Sequence, residues 1–196
     1  MGTDRGMRWL TSRKFKAPGR QVYSAVAAVA RQPVLFEELA VPDTLDGRFD
    51  AVVLHLVLLM RRLESLGREG HMLARHIVGV FVDDMDRTVR EMGIGDLSVG
   101  KQVKRMARAL YGRFEAYDAA LKVLPERKPL EEALGRNLYA GRKQADGVLT
   151  RTANYVDALN RRIEQKSLND FLKPEFSDAL TQATGEAARE ARSCPS

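Results

Sequence analysis

Apolar residues recur at three- and four-residue spacing along most of this chain, and no stretch shows sustained alternation with β-branched enrichment. The pattern predicts an all-α fold, a single helical domain of about six to eight helices. Val22, Val26 and Val29, with Ala25 and Ala30, mark a first helix that must stop before Pro33. A short amphipathic turn follows over Val34–Leu39, and Val41-Pro42-Asp43 and Asp46-Gly47 break the chain. Phe49 to Leu66 is then apolar on nearly every side up to Arg61-Arg62. Such a helix is either central in the core or a wall covered by a partner, and the core reading is favoured.

The next stripe, Leu73, Ile77, Val80, Phe81, Met85, Val89 and Met92, predicts a helix over Gly70–Met92. Gly93 is placed as its left-handed C-terminal glycine, and Asp96 or Ser98 can cap the helix that follows. That helix carries Val103, Met106, Ala107, Leu110, Phe114, Tyr117 and Leu121. These two long helices, antiparallel and joined by a glycine-containing turn, are expected at the centre of the fold. Leu124–Pro129 reads as a linker, Leu130–Tyr139 as a shorter helix and Gly141–Gly147 as a bend. Val148–Lys166 is a strong amphipathic helix, and a helix start is expected near Pro174. The domain is expected to span residues 17–184, between a flexible basic arm (1–16) and a frayed tail (185–196).

Charge sharpens the picture at one end only. Residues 1–20 hold six basic groups (Arg5, Arg8, Arg13, Lys14, Lys16 and Arg20) against Asp4, while the remaining 176 residues hold 26 basic and 25 acidic groups. The arm is Arg-rich without the apolar core of a secretory signal. The longest apolar run, Ala51–Met60, is about half of the ~20 residues a transmembrane helix needs. A single cysteine, Cys194, permits no internal disulfide.

Candidate chemistry is sparse. Asp83, Asp84 and Asp86 suggest a metal site at first sight, but Asp83 precedes Arg87, and Asp86 precedes Arg90, at the spacing of intrahelical ion pairs. A salt-bridge lattice is the better reading, so no metal is expected. The DDMD spacing also departs from the paired DDxxD clusters of isoprenoid enzymes. Among the histidines, His55 interrupts an apolar run and reads as a hydrogen-bonded core residue, while His71 and His76 are wrongly spaced for two ligands on one helix face. Gly100-Lys101-Gln102 lacks the Ser or Thr of a phosphate loop. No catalytic group or cofactor is therefore expected. Lys101, Lys104, Arg105 and Arg108 share one helix face, with Arg113 farther along. They read as a solvated face, or as a docking strip for an acidic partner, ribosomal RNA or a membrane surface.

One longer pattern carries more information. Phe49-Asp50 through Leu54-His55, Arg61-Arg62-Leu63, Phe81 through Asp86, Arg90 through Leu97, Val99-Gly100-Lys101 and Tyr111-Gly112-Arg113 with Ala116-Tyr117 resemble the ubiquinol–cytochrome c chaperone family. The likeness covers roughly residues 33–165 and is densest in DMDRTVREMGIGDLSVGK. It implies an all-helical, non-enzymatic assembly chaperone that binds newly made cytochrome b during biogenesis of respiratory complex III. A small helical partner protein and contact with a ribosome or an anionic membrane surface are implied with it. The lack of a long extension and of a transmembrane span fits a bacterial member, expected in the cytoplasm or peripherally at the inner membrane. An RNA- or ribosome-associated binding protein, using the arm and the basic face, is the alternative.

Carried onto this chain, the candidate client surface is Phe49, Val53, Leu56 and Met60 with Lys101, Lys104, Arg105 and Arg108. The expected signature scaffold is Asp83, Asp86, Arg90, Glu91, Gly93, Gly95, Asp96, Gly100, Tyr111, Gly112 and Arg113.

Overall fold

The structure, a computed structural model, describes residues 14–93 and 96–193, apart from the side chains of residues 96 and 97. Among the described residues it is all-helical: α1 (Lys16–Val29), α2 (Pro33–Glu37), α3 (Leu45–Ser65), α4 (Gly67–Glu91), α5 (Asp96–Lys122), α6 (Lys128–Asn137), α7 (Val148–Glu164), α8 (Leu168–Leu172) and α9 (Phe176–Ser193). None of these helices is long and apolar enough to cross a membrane.

The core is built around α3. Its start is fixed by Thr44, whose hydroxyl accepts a hydrogen bond from the Gly47 amide at 3.1 Å. Every residue from Asp50 to Met60 is buried, and the helix packs against α1, α4, α5 and α7. This corrects the candidate client surface: Val53, Leu56 and Met60 are core residues, and only Phe49 is partly open. The physical reason is that full burial of each such side chain is worth about 1.5–3 kcal/mol. A helix apolar on all sides is therefore driven to be covered on all sides.

Two features set the path from α3 through α5. A Cβ on Gly70 would lie 2.0 Å from the Leu63 carbonyl oxygen, so only glycine permits the tight α3–α4 elbow. At the far end of α4, Gly93 has φ +73°, and its amide donates to the Arg90 carbonyl at 3.0 Å. The left-handed stop expected there is present, and α5 folds back along α4.

The domain ends differ from expectation. Phe15 is wholly buried and Lys14 pairs with Glu69 at 3.0 Å, so the chain is anchored before residue 16. Residues 1–13 of the expected arm lie outside the described residues. At the other end α9 runs on to Ser193 where a frayed tail was expected from 185. Ala187, Ala188 and Ala191 are buried on its inner face, α9 packs on α1 and α7, and Arg192 holds Glu38 at 2.7 Å. Cys194 lies beyond the described residues.

Candidate functional site

A groove of about 650 Å³ opens where the start of α3, the end of α4 and the first half of α5 meet. Its α4 wall is Met85, Val89 and Met92, one stripe at helical spacing. Its α5 wall is Met106 and Ala109, and its α3 edge is Leu45 and Phe49. Leu45 and Met92 are each 51% exposed at the rim, two of the four large hydrophobic side chains left open on the described surface. Methionine is unbranched and polarizable, so such walls adapt to differently shaped apolar partners.

The groove floor is polar and poorly satisfied. Asp50 is 5% exposed, with Arg113 Nη2 2.7 Å from its Oδ1. The contact is a close ion pair beneath the groove. Arg113 Nε and the wholly buried Tyr117 hydroxyl have no hydrogen-bond partner among the described residues. Burial pushes the Asp50 carboxyl up from 3.8 to about 7, against the pull of Arg113. The Arg113 guanidinium also lies over the Phe49 ring at 5.6 Å. Phe49 in turn contacts Phe81 at 6.0 Å, and Phe81 contacts Tyr23 at 6.3 Å.

That chain of rings leads to the acidic cluster of α4. The Tyr23 hydroxyl donates to Asp84 at 2.6 Å, and Arg87 donates to the same carboxylate. Burial raises the Asp84 pKa, but the bonds from Tyr23 and Arg87 outweigh it and hold the carboxyl below its ordinary value. Arg87 thus pairs with Asp84 rather than with Asp83, the partner expected from i,i+4 spacing, because Tyr23 on α1 has fixed Asp84 within reach. Asp86 and Arg90 pair as expected, at 2.7 Å. Among the described residues no three His, Cys, Asp or Glu side chains gather as a metal site would require.

The other expected positions divide. Lys101, Lys104, Arg105 and Arg108 are exposed on α5, but only Arg105 lines the groove. Asp83 is exposed at a separate cleft between α1 and α4, and Glu91, Gly100 and Gly112 are exposed. Tyr111 is 57% exposed, away from the groove lining. Gly95 and the Asp96 side chain lie outside the described residues. Missed from sequence were Leu45 as the rim and the Asp50–Arg113 contact, whereas Met85, Met92 and Met106 were legible on apolar stripes, with core packing the default there and adaptable binding of an apolar segment the reading for an exposed methionine. The only advance signal for the contact was an acid, Asp50, opening an otherwise apolar run. His55, by contrast, is the core histidine expected: Nδ1–H donates to the Ala51 carbonyl and the Tyr155 hydroxyl donates to Nε2, both at 2.7 Å.

Known proteins match this architecture. The family model described as ubiquinol-cytochrome C chaperone matches residues 37–179. Ubiquinol-cytochrome-c reductase complex assembly factor 1 of Xenopus laevis is 27% identical over 68% of this chain and 64% of its own length. The Homo sapiens protein of the same name is 23% identical over 82% of this chain and 60% of its own. The chain thus spans less than two thirds of these relatives. The crystal structure of the Cbp3 homolog from Brucella abortus is similar with TM-score 0.73 at 30% identity, covering 85% of this chain and 91% of that one.

Proposed function

This chain belongs to the ubiquinol-cytochrome C chaperone family, and we propose that it is a non-enzymatic assembly chaperone for respiratory complex III. In this reading it shields an apolar helical segment of newly made cytochrome b. The observation that carries the proposal is the methionine-walled groove with its open rim at Leu45 and Met92. A helix laid into such a groove buries the apolar stripe of one face, a common mode of peptide recognition. The relatives' name, reductase complex assembly factor, supports the same client class.

The test is photo-crosslinking in cells from Met92 and Met106, with Glu132, exposed on α6, as the control position. The expected result is cytochrome b attached at the two groove positions and not at Glu132. Equal labelling at all three positions, or normal complex III in cells lacking the gene, would sink the proposal.

A second reading rests on the outer face of α5. Lys101, Lys104 and Arg108 are exposed there, with no ion pair to a described residue. Such a face suits a ribosome or another RNA. Charge reversal at Lys104 and Arg108 should abolish co-sedimentation with ribosomes if that reading holds; unchanged co-sedimentation discards it.

A further inference from the structure

The groove is not uniformly apolar, and its charges are unequally compensated. Arg31, Arg48, Arg105 and Arg113 all reach it. Arg48 is held by Asp43 at 2.6 Å, and Arg113 lies against Asp50. Asp84 is already occupied by Tyr23 and Arg87. Asp46 sits in the first turn of α3, where the helix N-terminus favours a negative charge. Arg31 donates to the Ala27 carbonyl at 3.3 Å and lies near enough to Asp84 to help hold that carboxyl below its ordinary value. Arg105 pairs with no carboxylate among the described residues, and it lies one position from Met106 on the apolar α5 wall.

A wholly apolar segment lying here would strip water from Arg105 and return nothing to its guanidinium, and a desolvated charge without a partner is costly. A segment with one acidic side chain would meet it with a charge-assisted, bidentate contact. We propose that the groove selects an apolar helical segment carrying a carboxylate on its docking face, with Arg105 as the residue that reads it. Arg113 lies two turns farther along α5, about 12 Å away at the rise of an α-helix. Met106 and Ala109 lie between the two arginines, so the wall offers a cation at each end of a short apolar stretch. The inference rests on the reading of the groove as the client site and adds which clients it prefers.

The experiment uses two fluorescein-labelled helical peptides of about 16 residues, built of Leu and Ala with lysine ends. They differ only in a central Glu or Gln, and binding to the full chain is followed by anisotropy. The Glu peptide should bind about tenfold more tightly, the scale of one hydrogen bond to a charged group. That preference should fall to within about twofold in Arg105→Gln, an exposed and unpaired position, and persist in Lys104→Gln. Equal binding of the two peptides to the wild-type chain, or a preference untouched by Arg105→Gln, overturns the carboxylate inference and leaves the groove standing. Binding of neither peptide, or binding indifferent to Met106→Asp, overturns the groove reading itself.

Discussion

Asp50→Asn isolates the least satisfied group beneath the groove. The Asp50 carboxyl is 5% exposed, and its pKa rises from 3.8 to about 7, with burial as the cause and Arg113 only partly offsetting it. Because the folded pKa is the higher one, the folded chain holds this proton more tightly than the unfolded chain. The associated stability is fully present below pH 3.8 and is lost as the pH rises towards 7. A displacement of that size corresponds to about 4 kcal/mol in total, with rather more than half lost between about pH 5 and pH 8. Asparagine keeps the shape and cannot ionise, so this slope should vanish in the variant. Urea unfolding of both proteins, followed by far-UV circular dichroism from pH 5 to pH 8, gives a difference curve in which the titrations common to both cancel. The wild type should lose about 2–3 kcal/mol relative to Asp50→Asn across that range. A flat difference would refute the reasoning. So would a wild type that gains on the variant as pH rises, because that would mean Arg113 holds the carboxyl ionised.

The buried histidine predicts the opposite slope. Burial lowers the His55 pKa from 6.5 to about 4, so its stability is present above 6.5 and should be lost as pH falls towards 4, most visibly in the Asp50→Asn background. Tyr155→Phe leaves His55 Nε2 without its donor and should cost about 1–3 kcal/mol in chemical denaturation; no loss would mean that water or another donor replaces the hydroxyl. Leu56→Ala should cost about 2–5 kcal/mol as a core cavity, while crosslinking from Met92 in the folded fraction stays unchanged. A Cβ at Gly93 meets no described atom within 4 Å, so the cost of Gly93→Ala should be the left-handed strain alone, about 1–2 kcal/mol, read as faster amide exchange where α4 meets α5.

What could be read in advance was whatever is local. The α4 stop at Gly93 needs one residue able to take a positive φ, and the Asp86–Arg90 pair needs only one helical turn; both were legible in the sequence. The end of α9 is legible as well, against the frayed tail expected there. Leu180, Ala183, Thr184, Ala187, Ala188 and Ala191 form a regular inner stripe whose small side chains let α9 pack close to α1 and α7. Chain ends usually fray, but burial of this stripe holds the helix to Ser193.

The groove is a different case, because its parts come from three helices and none is distinctive alone. Met85 and Val89 are buried on α4, yet the same stripe continues to Met92, which is left exposed by the described helices. Periodicity marks all three as one face, and only the length of the neighbouring helix decides where the cover ends. Asp84 shows the same limit in reverse: its partner is set by Tyr23 on another helix, and Arg87 follows from that. Arg113 reaches Asp50 only because α5 folds back past the start of α3. The polar groups that would set the groove's preferences are thus the ones whose neighbours lie farthest away in sequence. Spacing within a helix could narrow the signature to a scaffold. It could not say that the scaffold leaves Arg105, next to Met106 on the groove wall, without a carboxylate partner among the described residues.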